Sequence, residues 1–205
     1  MKKICIILLC TCLFLTLFAG CEKKPDTELT PASTTVKLMD ALKQLDFAEA
    51  SKYTDIRKFF EFNEDGTISE GTRRFATVFL SKLDYTLQKQ TEVDAETSLI
   101  TLEITTVDMT PVMESFVSNL MMSTIKNEMD GVILTEEQTE ANALQIFDEI
   151  IAGASFPTIT TTVEVQVSKI NGQWVVYATE PFAEAISGGM QKATENANKL
   201  LKLSN

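Results

Sequence analysis

The chain has 205 residues, with 29 acidic against 18 basic side chains, four cysteines and no histidine. The missing imidazole excludes Ser-His-Asp and Cys-His nucleophilic arrangements and histidine-based zinc sites. A net charge of −11 argues against a nucleic-acid partner, whose phosphates need a basic footprint. Chemistry on carboxylates, chemistry on a serine with a lysine, and binding without chemistry all stay open.

Residues 1–21 read MKKICIILLCTCLFLTLFAGC. Lys2 and Lys3 precede an apolar run from Ile4 to Phe18, and Ala19-Gly20 stand just before Cys21. The run is too short, and lacks the flanks, for a spanning helix of about 20 apolar residues, so residues 1–20 are expected to be a secretory signal. Phe18-Ala19-Gly20-Cys21 resembles the bacterial lipobox, although Phe18 stands where leucine is usual. That resemblance implies that Cys21 is acylated, becomes the new N-terminus and anchors the protein on the extracytoplasmic side of a bacterial membrane. Cys5, Cys10 and Cys12 would leave with the signal, so the mature domain would have neither free thiol nor disulfide. Its charge would be 16 basic against 29 acidic residues, or −13.

Residues 21–32 carry Pro25 and Pro31 and no periodicity, which marks a lipidated tether. As a flexible coil it would span roughly 17–20 Å. Residues 33–205 are expected to form one domain. Ser33 or Thr34 is placed to cap a first helix with a stripe of Val36, Met39, Leu42 and Leu45. Asp46 and Glu49 resemble a capping box for a short helix over 47–53. Further helical stretches are predicted over 56–62 and 72–83, the latter with Phe75, Val78, Phe79 and Leu83 inward.

The period then changes to two. Strands are predicted over 85–91 and 99–107, where Ile100, Leu102 and Ile104 alternate with Thr101, Glu103 and Thr105. Pro111 ends the strand. Helices over 112–129 and 136–152 follow, the second opened by Thr135 and Gln138 and closed at Gly153. Val163, Val165 and Val167 alternate with polar residues, and Asn171-Gly172 is a preferred pair for a two-residue hairpin turn. Pro181 can start a last helix that Gly188-Gly189 would kink.

This order predicts an α+β domain: N-terminal helices on a curved antiparallel sheet, a helical pair inserted at about 111–152, and a C-terminal helix. The stretches VKLMDALKQLDFAEASKYTD, LDYTLQKQ…AETSLITLEITTVD and VEVQVSKINGQWVV resemble bacterial lipoproteins whose exported part is cystatin-like, in the nuclear-transport-factor-two-like superfamily. The resemblance implies a sheet wrapped on helices with a pocket between them. It carries no catalytic motif.

Four features compete for a functional role. The loop over 61–72 resembles a calcium-binding EF-hand loop, with Glu61, Asn63, Asp65 and Ser69 at oxygen positions and Gly66 at the turn. It has Glu61 in place of Asp, and Thr72 where a bidentate carboxylate is needed, so a plain Asp-Gly turn explains it as well. Met109, Met113, Met121, Met122 and Met129, with Phe116 and Leu120, give a helix suited to core filling or to an adaptable pocket lid, and Tyr85, Met113, Phe116, Leu120 and Met121 are the candidate pocket or lid residues. Asp84, Glu103 and Asp108 beside Tyr85 are candidate acid–base groups. Trp174 is a candidate anchor or a core plug. The expected function is that of a membrane-anchored, non-enzymatic domain binding a small ligand or a protein partner, without a cofactor. The rival is a carboxylate-using enzyme or a weak calcium module.

Overall fold

A computed structural model of the protein describes residues 29–55, 57, 60, 68–153 and 155–203. Cys21, the signal over 1–20, most of the tether, most of the helical stretch over 56–62, and the candidate ligands Glu61, Asn63 and Asp65 lie outside the described residues.

Helix α1 (Pro31–Lys43) starts earlier than the sequence pattern suggests. Its cap is Thr30, whose hydroxyl accepts from the Ser33 amide at 3.1 Å while Ser33 Oγ accepts from the Thr30 amide at 2.8 Å. Two orphan amides are thus satisfied reciprocally, and Pro31 in the first turn has no amide to lose. The helix then rotates relative to the predicted stripe: Leu38, Met39, Ala41 and Leu42 are buried, whereas Leu45 lies beyond its end. Leu45 takes φ +58°, and the amides of Leu45 and Asp46 bond back to the carbonyls of Leu42 and Ala41. This is a Schellman closure, which normally selects glycine.

Helix α2 (Phe47–Ala50) is shorter than predicted. Asp46 caps it through the Glu49 amide at 2.9 Å, but the Glu49 carboxylate turns to Lys52 and Tyr53 instead of back to the cap. Helix α3 (Glu70–Leu80) is capped by Ser69 and buries Ala76, Val78, Phe79 and Leu80.

Strands β1 (Asp84–Asp94), β2 (Thr97–Val107), β3 (Thr158–Ile170) and β4 (Gln173–Val176) pair in sequence order as an antiparallel sheet. The registers Leu87↔Leu102, Leu102↔Val163, Ile100↔Val165 and Val167↔Val176 put the apolar set on one face. Ile100, Leu102, Ile104, Val165 and Val167 are fully buried there. The other face carries threonine and glutamate, as the alternation predicts. Two register shifts bend the edge strand β1 and blunt its free edge. The opposite edge is covered locally, where Tyr53 O accepts from the Val176 amide and the Thr54 hydroxyl donates to Val176 O. Asn171 and Gly172 both have positive φ, as the β3–β4 turn requires.

Between β2 and β3 the chain makes α4 (Met109–Met129) and α5 (Glu136–Gly153), the predicted helical pair. Pro111 falls in the first turn of α4, where it is tolerated, so the helix begins before the proline and not after it. Thr135 and Gln138 form the expected capping box. After β4 come α6 (Glu180–Ile186) and α7 (Met190–Leu203), so Gly188-Gly189 separates two helices where the pattern predicts a single kinked one. Helix α1 lies across the sheet, α6 covers β2 and β3, and α7 packs against α4. The result is an α+β domain with its core between one sheet face and the helices.

Candidate functional site

The inner sheet face is filled. Leu38, Met39 and Leu42 from α1 and Phe182 and Ile186 from α6 are at most 2% exposed against it, which leaves little room for the pocket expected between sheet and helices. Space opens instead among the helices. A cavity of about 600 Å³ lies between α3, α4, α6 and α7, and among the described residues no strand residue lines it.

The cavity has an aromatic and thioether wall. Phe75 and Phe79 come from α3, Met113 from α4, Ile186 from α6 and Met190 from α7, and Phe60 closes one side. Spacing explains the α3 contribution: positions 72, 75 and 79 share a helix face. Phe60 stacks on Phe79 at 6.2 Å between ring centroids. Phe75 stacks on Phe147 of α5 at 3.9 Å, and Phe116 meets both rings edge-on at 6.2 and 5.9 Å. The wall is therefore backed by a second aromatic layer and cannot collapse easily.

The polar side of the cavity consists of Ser69, Thr72, Glu184, Ser187, Gln191 and Thr194. Glu184 accepts from the amides of Gln191 at 3.0 Å and Lys192 at 3.1 Å, so its carboxylate caps the first turn of α7. Gln191 Nε2 donates to Glu180 at 3.0 Å. Thr194 donates to Met190 O, Ser187 to Glu184 O, and Ser69 to Thr72 Oγ1. Gly71, in the first turn of α3, borders the cavity, and a Cβ added there would meet nothing within 4 Å.

Of the predicted pocket or lid residues, only Met113 lines this cavity. Phe116 stands behind Phe75 in the second layer, and Leu120 and Met121 are half-buried further along α4. Tyr85 is remote in role: its hydroxyl donates to Asp40 at 2.7 Å and pins β1 to α1. Burial, then the bond to Asp40, pushes the Tyr85 phenol up, away from the ionisation a base would need. The methionine-rich helix splits in two. Met109 and Met113 are buried at its start, whereas Met122 and Met129 are exposed at its end together with Ile125.

The candidate carboxylates do not converge. Asp84 pairs with Lys43 at 3.0 Å, and that bond holds its carboxyl below the usual range. Glu103 accepts from Gln88 on the open sheet face, and Asp108 caps α4 through the Thr110 amide. Trp174 is half-buried against the core, with Lys169 Nζ 5.8 Å from its ring centroid. Among the described residues, no group of three or more acidic, histidine or cysteine side chains is placed to hold a metal ion, and no helix is long and apolar enough to cross a membrane.

What the sequence pattern misses is the joint use of Phe75, Phe79, Ile186 and Met190. The first two read only as an inward helix face, and the last two belong to a helix that the pattern does not divide. The only signal is the Gly188-Gly189 pair, which turns α7 back against α4.

No family model matches the chain, and no curated protein does. Two solved structures show distant likeness. One is an NTF-2-like protein of unknown function from Shewanella oneidensis MR-1, at 10% identity and a TM-score of 0.33, covering 72% of this chain and 94% of that one. The other is a Bacillus subtilis subsp. subtilis str. 168 protein, ycdA, described as a candidate lipoprotein, at 17% identity and a TM-score of 0.39. That match covers 74% of this chain and 44% of the other, so the chain spans less than half the length of that protein.

Proposed function

We propose that this chain is a bacterial envelope lipoprotein, anchored on the extracytoplasmic side through Cys21, whose body is a non-enzymatic ligand-binding domain. The observation that carries the binding role is the cavity between α3, α4, α6 and α7. Its volume of about 600 Å³ falls within the range of small-molecule sites, about 300–1,000 Å³, and its lining has the usual makeup of an apolar wall with a few polar groups. The dispersed engagement of Asp84, Glu103 and Asp108 favours binding over acid–base chemistry. The anchor rests on the sequence of residues 1–21.

Two experiments test this. Detergent-phase partitioning is expected to place the wild-type protein in the detergent phase, because two or more acyl chains, at about 0.8 kcal/mol per buried methylene, hold a protein to lipid, whereas Cys21→Ala should be either released to the aqueous phase or stranded with its apolar leader still attached. Aqueous partitioning of both would remove the anchor. For the binding role, native mass spectrometry of the full chain carrying Cys21→Ser, isolated from its producing cells without denaturation, should reveal a bound small molecule that is absent when Gly71→Phe fills the cavity.

A further inference from the structure

We infer that the cavity between α3, α4, α6 and α7 takes an uncharged, largely apolar small molecule and discriminates against both anions and cations. The inference rests on the binding role proposed above and deepens it by naming the ligand class. Burying an ionic group demands a partner, because the desolvation cost is otherwise several kcal/mol. No lysine or arginine is among the described residues lining the cavity, so none of these offers an anion a counter-charge. The carboxylate that lines it, Glu184, is already engaged. Its two oxygens accept from the Gln191 and Lys192 amides, at the positive end of the α7 dipole, which offsets part of its charge and turns it toward the helix end rather than toward a bound cation.

The neutral polar groups are in a similar state. Thr194 and Ser187 donate to backbone carbonyls, Ser69 to Thr72, and Gln191 to Glu180. Each of these donors thus has a protein partner, and what polar capacity is left, on the Gln191 amide and the Thr72 hydroxyl, is neutral. What the cavity offers is the faces and edges of Phe60, Phe75 and Phe79 with the flexible side chains of Met113 and Met190. Such a surface recognises hydrocarbon or an aromatic ring, and the thioethers adapt to its outline.

The test compares three probes of matched size, 2-naphthylmethanol, 2-naphthoate and 2-naphthylmethylammonium, by calorimetric titration. The protein is the full chain carrying Cys21→Ser, so that no acyl chain of its own competes. Gly71→Phe supplies a filled cavity without a backbone clash, since a Cβ there meets open space, and replacing a helical glycine favours the fold. Saturable binding of the alcohol, with both ions at least about ten-fold weaker, is the expected result. Gly71→Phe should then lose at least about ten-fold in alcohol affinity while its thermal midpoint stays at or above that of the parent.

Either ion binding as tightly as the alcohol, with that binding lost in Gly71→Phe, overturns the ligand class while leaving the binding role intact. Binding that persists in a folded Gly71→Phe puts the site elsewhere and overturns the inference. No saturable binding of any probe overturns both the inference and the binding role. A Gly71→Phe chain that fails to fold is replaced by Met113→Trp, which fills the same cavity from α4 and is held to the same outcomes.

Discussion

Replacing Gly188 by alanine should be among the most destabilising single-methyl additions this domain can suffer. Gly188 adopts φ +63°, and a Cβ built on it would lie 1.8 Å from the Val107 carbonyl oxygen and 3.0 Å from its carbon. Both are backbone atoms at the end of a central strand, so no side chain can rotate out of the way. The left-handed conformation alone costs an L-residue about 1–2 kcal/mol. Forcing a methyl into a packed site adds about 1–3 kcal/mol. The elbow must also retreat from the strand, which strains the bond from the Met109 amide to Gly188 O at 2.9 Å, worth about 1 kcal/mol. The total is about 3–6 kcal/mol, a large share of the 5–15 kcal/mol typical of a domain.

Gly172→Ala separates the two causes. Gly172 has φ +82°, but a methyl added there would have nothing within 4 Å, so it should show the conformational cost without the clash, about 1–2 kcal/mol. Urea unfolding, followed by far-ultraviolet circular dichroism, gives the comparison at constant slope. Equal losses at the two positions, within about 0.5 kcal/mol, would show that the close approach of the α6–α7 elbow to β2 does not exist.

Phe147→Ala should cost about 3–5 kcal/mol in the same assay, because the ring is fully buried and stacked on Phe75; a loss below about 1 kcal/mol would mean that α5 is not tied to the core. On the acid side, Glu49, Glu70 and Asp84 are held below their ordinary values by bonds from Lys52, from Arg73 and from Lys43 respectively. A carboxyl depressed in the folded state contributes stability above its unfolded value, and loses it as the pH falls through the folded one. Stability should therefore drop from about pH 4 downward, less steeply in the combined Glu49→Gln, Glu70→Gln, Asp84→Asn variant. Glu70 and Asp84 are exposed and Glu49 is half-exposed, so high salt should shrink the difference. On the alkaline side the sign reverses: the bond to Glu49 pushes Tyr53 up to about 12, so its contribution is full below the ordinary tyrosine range and is lost as pH rises toward 12. Tyr53→Phe should flatten that loss in alkaline unfolding curves.

The sheet is legible in the sequence because strand periodicity and burial coincide. Ile100, Leu102 and Ile104 alternate strictly with polar residues, the partner strand repeats the pattern at Val163, Val165 and Val167, and Asn171-Gly172 has little use except a tight hairpin. Helix ends are less legible. The reciprocal cap at Thr30 uses Ser33 where the usual signature has glutamate or glutamine, so the pattern starts the helix at its own third residue. Helix α4 misleads in another way. Apolar residues continue around and beyond its buried face, with Ile125 and Met129 exposed, so periodicity does not separate the methionines that pack from those that do not. The cavity is illegible for a geometric reason. Its lining comes from α3, from α4 and from the α6–α7 pair, three stretches far apart in sequence, and no single one carries a pattern that predicts their convergence.

The position of the cavity follows from how the sheet is closed. A four-stranded sheet with one apolar face needs about two helices to cover it, and α1 and α6 supply them with Leu38, Met39, Leu42, Phe182 and Ile186. Helix α7 then has no sheet left to cover. The elbow at Gly188 presses against β2, sends α7 back along α4, and buries Ala193 as it goes. Meanwhile α3 is tied to α5, by Phe75 stacking on Phe147 and by the ion pair of Arg74 with Asp148. Two helices that converge on α4 from different anchors leave a gap where they diverge. The gap is apolar on the side of α3, through Phe75 and Phe79, and polar where α7 turns Gln191 and Thr194 to it, and it stays open because Phe75 is braced from behind. A molecule lying on Phe75 would thus rest on the same aromatic stack that ties the α4–α5 hairpin to the domain, which makes the stability of that hairpin the property most directly sensitive to what the cavity holds.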